Sequence, residues 1–352
     1  MTALPPPPVR SFASDNSAGA LPEVMDAVVA ANVGHTLAYG ADPWTARATD
    51  LLHDLFGGRA APYLVLNGTG ANVMALATLA HPGEAVVCSE WAHIAVDETG
   101  APERVAGVKL LCQPSSDAKV TPAHLESVAH LRGVQHHAQP TVVSITQSTE
   151  LGTVYSADEV AALCDSAHRL GMRVHLDGAR IANATAALGG DIATLRAFTV
   201  DAGVDVVTFG GTKAGILGGE AVVYLDADLA TRAPFVRKQV DQLSSKMRFI
   251  AAQFEALLTD DLWLRSADHA NRMARRLYES SRTLPGIEYD AAPVVNSVFP
   301  RIPADIIGPL SEWCFFYEWD PTRHQVRWMT SWDTTEDDVD RFVAGLRWFL
   351  RV

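Results

Sequence analysis

Lys213 stands in a stretch, Val204–Glu220 (VDVVTFGGTKAGILGGE), whose pattern could turn a lysine into a reagent. Val206, Val207 and Phe209 read as a short, doubly buried β-strand, which Gly210, Gly211 and Thr212 then break. Lys213 sits in the break, followed by Gly215, Gly218 and Gly219. Burying an ammonium at the end of an apolar strand is costly and lowers its pKa toward the neutral amine. A neutral amine is a nucleophile that condenses with aldehydes. The flanking glycines let backbone come close to a bulky ligand. The alternative reading is a surface lysine in a glycine-rich turn.

A second segment, VHLDGARIAN (Val174–Asn183), shifts the balance. Val174 and Leu176 alternate with His175 and Asp177, so one face of a short strand ends in a carboxylate. Gly178 and Ala179 then turn the chain and present Arg180. A carboxylate at the carboxyl end of a strand lies where open α/β sheets bind ligands. There it could keep a pyridinium nitrogen protonated, as the acidic partner does in pyridoxal phosphate (PLP) enzymes. Asp177 could instead cap the next helix and pair with Arg180. An Asp-ended strand followed by a Lys-ended strand favours the cofactor.

Other residues fit the same chemistry. In NGTGAN (Asn67–Asn72), Gly68, Thr69 and Gly70 place backbone N–H groups at a helix start, where an anion is favoured. The segment lacks a Walker lysine and the full GxGxxG pattern, so one phosphate suits it better than ATP or a dinucleotide. Any strand–turn–helix can carry such glycines. His93, in SEWAHIAVDETGA, could stack on a flat ring or exchange protons near neutral pH; a structural histidine is the alternative. Arg327, alternating with apolar neighbours in HQVRWMTSWDTT, could grip a carboxylate with both prongs, or lie on an exposed face. Lys246 and Arg248 (SSKMRF) form a basic pair on a helix, solvated or reaching a phosphate across a dimer interface. No histidine shows metal-ligand spacing, and no metal site is expected.

The elements that must position these groups follow a βα pattern. Apolar runs at Tyr63–Leu66, Ala85–Cys88, Val108–Leu111, Thr141–Thr146, Arg173–Leu176, Asp205–Phe209 and Ala221–Leu225 read as strands. Between them lie helices at Val73–Leu79, Pro122–Leu131 and Ser156–Leu170, the last with a capping box at Ser156 and Glu159. Such alternation predicts an α/β fold with a mainly parallel sheet covered on both faces. Helical periodicity then runs through Phe235–Leu258 and Asp261–Leu284. Val298–Arg301, Trp313–Tyr317 and Gln325–Met329 read as strands of a small α+β domain closed by a helix at Glu336–Leu350. The domains expected are a flexible tail at 1–10, with prolines at Pro5–Pro8, a large domain at 11–259 and a small one at 260–352.

Length and composition set bounds. The 352 residues suffice for a large and a small domain, and 48% hydrophobic with 20% charged residues is ordinary globular composition. A net charge of −13 argues against nucleic-acid or anionic-membrane partners. The four cysteines, Cys88, Cys112, Cys164 and Cys314, lack metal-type spacing and read as free thiols of a reducing cytosol. No signal segment or spanning run is evident, so a cytoplasmic location is expected.

Taken together, SFASDNSAGALPEVMDAV, AYGADP, NGTGAN, the His93 segment, VHLDGARIAN, GGTKAG and VRWMTSWDTTEDDVDRF resemble, in this order, the low-specificity L-threonine aldolases. The resemblance runs from about Ser11 to the C-terminus. It implies a fold-type I PLP enzyme of the aspartate aminotransferase fold that cleaves β-hydroxy-α-amino acids to glycine and an aldehyde. By the same resemblance Lys213 binds the cofactor covalently, Asp177 meets the pyridine nitrogen and Arg180 the phenolic oxygen side. His93 stacks on the ring and assists proton transfer, and Gly68 and Thr69 hold the phosphate, with Arg248 and Lys246 reaching it from a neighbouring subunit. Ser14 and Arg327 grip the substrate carboxylate, Tyr39 lines the site near the dimer interface, and the assembly is a homotetramer.

One departure stands out. Many members carry a second active-site histidine in a segment like ENTHN, and here the stretch reads ITQSTELGT, Ile145–Thr153. Gln147, Thr149 or Glu150 then has to position the water or hydroxyl. Two alternatives to the aldolase reading remain: another fold-type I reaction (β-elimination or transaldol transfer), and a non-catalytic binding protein.

Overall fold

The structure is a computed structural model that describes residues 3–352. A seven-stranded sheet forms the larger unit, from β1 (Ala61–Val65), β2 (Ala85–Ser89), β3 (Lys109–Gln113), β4 (Pro140–Thr146), β5 (Arg173–Gly178), β6 (Val206–Gly210) and β7 (Glu220–Tyr224). Its order is β1-β7-β6-β5-β4-β2-β3. Strands β3, β2, β4, β5 and β6 run parallel, while β7 is antiparallel to both β6 and β1. Strands β2, β6 and β7 are buried along their whole length, as apolar runs covered on both faces require. Phe209 of β6 packs edge-on against Trp263 at 5.5 Å and Phe56 at 6.2 Å. The register sets Asp177 beside Thr146 and Thr208, and Gly210 beside Glu220, so these residues gather at one end of the sheet.

Two helix starts matter to the site. The helix Gly68–Leu79 begins inside NGTGAN, earlier than the predicted Val73, with Asn67 Oδ1 capping the Gly70 N–H at 2.8 Å. The predicted box on helix Ala157–Arg169 is present in both directions between Ser156 and Glu159.

The smaller unit joins antiparallel strands β8 (Glu288–Tyr289), β9 (Ser297–Val298), β10 (Pro300–Arg301), β11 (Tyr317–Asp320) and β12 (Gln325–Met329) to helices Ala304–Trp313 and Glu336–Leu350. The helix Leu262–Ser281 belongs to both cores: Leu262–Ala267 packs into the large one, and Met273, Ala274 and Leu277 into the small one. Phe12 also packs into the small core, with its ring 4.6 Å from Phe342.

Several expectations are corrected. Periodicity over Phe235–Leu258 predicted one helix, but the chain forms Ala233–Gln239 and Arg248–Leu258 around a break at Asp241 (φ 59°). The break seats buried Gln242 against Gly70, where a Cβ would lie 2.2 Å from the Gln242 side chain, and Gln242 Oε1 takes the Leu66 N–H at 2.9 Å. The predicted strand Trp313–Tyr317 is instead a helix end followed by a strand from Tyr317. Pro309 masked that helix in the sequence, and its Trp313 ring fills the space left by Gly345. Of the expected mobile tail, Met1 and Thr2 lie outside the described residues. The rest is held to the small unit, because Trp313 Nε1 donates to Pro5 O at 3.0 Å and Arg10 pairs with Asp338 and Asp333 at 3.0 and 3.1 Å. Among the described residues no helix is long and apolar enough to cross a membrane.

Candidate active site

Lys213 sits on a single 3₁₀ turn, Thr212–Ala214, directly after β6. The turn is pinned by Glu220 of β7, whose Oε2 accepts the Gly211 N–H at 2.6 Å. Burial pushes the Glu220 carboxyl up to about 7. Burial, and next the Arg180 charge, lower the Lys213 pKa toward the reactive amine. Lys213, Asp177, His93, Arg180 and Gly68 line one cleft of about 510 Å³, at the carboxyl ends of β4, β5 and β6.

Asp177 is almost wholly buried, and each of its carboxylate oxygens accepts one hydrogen bond, which leaves acceptor capacity free. Oδ1 accepts the Ala179 N–H at 3.0 Å, and Oδ2 accepts Asn72 Nδ2 at 2.8 Å. Asn72 Nδ2 also donates to Glu98 Oε1 at 2.9 Å, while its Oδ1 accepts from Thr208 Oγ1 at 3.1 Å. Both amide hydrogens and the amide oxygen are used, so Asn72 has one orientation. Glu98 Oε1 in turn meets His93 Nδ1 at 2.9 Å, and this contact is the main reason the His93 pKa is raised. Burial raises the Glu98 carboxyl. A polar chain thus runs Asp177–Asn72–Glu98–His93. Two positions before Asp177 on the same strand face, buried His175 meets Ser144 Oγ at 2.9 Å, and burial pushes it down to about 4, leaving it neutral.

A wider chamber of about 890 Å³ opens beyond the cleft and shares His93, Glu150, Arg180 and Lys213 with it. Ser14 and Arg327 lie on its far wall. The Arg327 guanidinium stacks over Trp319 at 4.7 Å and Tyr317 at 5.4 Å, and Nη2 donates to Ala13 O at 3.3 Å. Its buried Nε has no partner among the described residues, and burial pushes its pKa down to about 10. That is a cation held in place and short of an anion.

Sequence reasoning placed Lys213, Asp177, Arg180, His93, Gly68, Ser14 and Arg327, and the structure brings all seven onto these two connected chambers. Thr69 follows Gly68 in the first turn of its helix, where N–H groups lack intrahelical partners. Three residues are not brought there within the chain. Tyr39 is exposed, with Lys238 Nζ 5.4 Å from its ring centre. Lys246 is exposed in the turn before the helix, so only Arg248 of the pair is helical. Arg248 stacks on Phe249 at 5.0 Å and donates to Val33 O at 3.0 Å. Of the candidates in Ile145–Thr153, Gln147 is fully buried and spent on the Tyr155 main chain, and Thr149 is paired with Thr153. Glu150 alone of the three lines the chambers.

Reasoning from sequence missed Asp15, Asn72, Glu98 and Glu220. Each stands within seven residues of a motif already singled out (Ser14, Gly68–Gly70, His93 and Lys213), and that proximity was the available signal.

Residues 11–302 match the model of the beta-eliminating lyase family. Over 339 residues the chain is 42% identical to the low specificity L-threonine aldolase of Pseudomonas aeruginosa, spanning 96% of this chain and 97% of that one. The chain belongs to the beta-eliminating lyases, among the low specificity L-threonine aldolases. Its structure superposes on a threonine aldolase of Leishmania major with a TM-score of 0.90 at 31% identity, covering 97% and 99% of the two chains. A protein from an Exiguobacterium species described as a putative aromatic amino acid beta-eliminating lyase/threonine aldolase shares the fold, with a TM-score of 0.74 at 18% identity over 97% and 98%. The fold expected from the sequence, that of the fold-type I PLP enzymes, is the one this threonine aldolase family adopts.

Proposed function

We infer that this enzyme is a PLP-dependent carbon–carbon lyase. It cleaves L-threonine, L-allo-threonine and related β-hydroxy-α-amino acids such as phenylserine to glycine and an aldehyde. The observation that carries the reading is the joining of two chambers: one holds Lys213, Asp177 and His93, and the other ends at the unpaired Nε of Arg327. A covalent anchor and a carboxylate receptor are what an amino acid bound to an aldehyde cofactor needs.

The residues present fit that cofactor. Lys213, desolvated and lowered in pKa, is the amine that holds it. Asp177, fixed by Asn72 and the Ala179 N–H, is the anion for the ring nitrogen. Arg180 would hold the phenolic oxygen side and His93 would stack on the ring, both lining the same cleft as Lys213. The first N–H groups of the helix Gly68–Leu79 suit the phosphate. Bound there, PLP supplies an aldehyde that condenses with amines and a protonated ring that accepts the electron pair released at Cα. Arg327 and Ser14 hold the substrate carboxylate and so fix which bond at Cα faces the chamber.

Tyr39, Lys246 and Arg248 belong to a neighbouring copy's site in this reading, within a homotetramer. Exposed Met25, Val29, Val33 and Leu37 lie in the same part of the chain as Tyr39 and support it, as does the contact of Arg248 with Val33. A reducing cytoplasm suits the free thiols.

The test is a panel of β-hydroxy-α-amino acids given to PLP-loaded protein, with glycine, aldehyde, ammonia and keto acid all assayed. Equal amounts of glycine and aldehyde are expected. Ammonia with a keto acid would overturn the reading in favour of β-elimination.

A further inference from the structure

The Glu150 side chain is held by one oxygen and bare at the other. Oε1 accepts the His93 main-chain N–H at 2.8 Å and Thr146 Oγ1 at 2.9 Å. Oε2 is buried with no hydrogen-bond partner among the described residues. The residue lines both the cleft beside Lys213 and the chamber that ends at Arg327. A substrate anchored by its amino group and its carboxylate at those two ends has its Cα between them, and Glu150 lines both of the chambers into which its β-substituent can project. A buried acceptor left bare is costly, and a substrate hydroxyl is the donor that would satisfy it.

We propose that Glu150 Oε2 is the base that removes the β-hydroxyl proton in this chain. The proposal rests on the aldolase reading above. The proton passes from the hydroxyl to Oε2, and the O–H electron pair becomes the second bond of the aldehyde carbonyl. The Cα–Cβ bond breaks and its electron pair stays at Cα, where bound PLP would supply the electron sink. Cα then takes a proton to give glycine, and Glu150 releases the one it gained, so the group ends as it began.

His93 is the rival for this role: Glu98 holds its Nδ1 and leaves Nε2 free, and the Glu150 variant below separates the two candidates. Burial pushes the Glu150 carboxyl up to about 7, which suits proton exchange near neutral pH. The groups facing it across the two chambers are Lys213, Arg180 and Arg327, which favour the carboxylate, and Asp177, which opposes it. Of the other titratable groups, Glu98 and Glu220 line the cleft with it, Asp97, Tyr317 and Glu318 line the wider chamber, and His93 lines both.

The decisive variant is Glu150→Gln, which keeps an acceptor for His93 and Thr146 and removes the base. Two reactions are compared in PLP-loaded protein: aldehyde release from L-threonine and phenylserine, and exchange of the glycine α-hydrogen in deuterated water, which involves no hydroxyl. We expect aldehyde release to fall by about 100-fold or more. Glycine exchange and the absorbance change on glycine binding should stay within about threefold of wild type. Wild type should also lose aldehyde release as pH falls through about 7, a limb absent from the variant. Cleavage within tenfold of wild type would overturn the proposal, and so would a parallel loss of glycine exchange in folded protein. If Glu150→Gln does not fold, Glu150→Ala is assayed with added formate, and failure of formate to restore cleavage would count against the proposal. A wild type that releases no aldehyde from any substrate would sink the aldolase reading instead, so the two failures are distinct.

Discussion

Arg180 grips Asp15 with two prongs, Nε to Oδ2 at 2.7 Å and Nη2 to Oδ1 at 2.9 Å, and thereby ties the N-terminal segment to the turn after β5. Asn296 Nδ2 reaches the same carboxylate from the small unit at 3.1 Å, so three distant parts of the chain meet beside the cleft. Burial alone would raise the Asp15 carboxyl, but Arg180 outweighs it and holds the group below its ordinary value. A depressed carboxyl contributes stability that is present above its unfolded pKa and lost as pH falls through the folded one.

Asp15→Asn should therefore cost about 3 kcal/mol at pH 7, the low end for breaking a buried pair, because Asp177 and Glu150 still face Arg180. Urea unfolding of both proteins should show the difference narrowing as pH falls below about 4, where the carboxyl of the unfolded wild type takes up a proton while the folded one, held lower, is still ionised. An equal difference at pH 7 and pH 3 would contradict this origin.

Glu98 holds His93 by Nδ1 and is the main cause of its raised pKa. Glu98→Gln replaces a charge-assisted hydrogen bond with a neutral one, a loss of about 1.5 kcal/mol, or roughly tenfold in turnover if His93 must keep its orientation. Proton NMR of the His93 ring should show its pKa falling in the variant. An unchanged titration would remove Glu98 from its assigned part.

Arg327 stands against Trp319 and Tyr317, a setting for a planar guanidinium that an ammonium cannot copy. Arg327→Lys should raise KM for L-threonine about 100-fold, equivalent to about 2.7 kcal/mol, with a smaller change in kcat. Binding of the matching amino alcohol, which lacks the carboxylate, should hardly change. Equal losses for both ligands would place the arginine elsewhere in the mechanism.

The strands and their reactive ends were legible because each is a local pattern: an apolar run, a polar residue at its end, then glycines. Lys213 and Asp177 were readable for that reason, and the register of β5 on β6 then sets their strands side by side. The partners that tune the site were not legible. Asp15 meets Asn296 across 281 positions and Asn72 meets Asp177 across 105, contacts that leave no periodic trace in sequence. The break at Asp241 was hidden for the same reason, since it serves a contact between Gln242 and Gly70 far back in the chain. Tyr39, Lys246 and Arg248 lie at a surface of this chain, so a single copy leaves their assigned site out of reach.

The central claim is that one particular amine carries the cofactor. Reducing PLP-loaded protein with borohydride fixes the cofactor to the lysine it occupies, and peptide mapping then identifies that lysine. The label should appear on the peptide containing Lys213, and Lys213→Ala should lose label, visible absorbance and aldehyde release together. A label on another lysine, or cleavage at the wild-type rate by Lys213→Ala, would contradict the account.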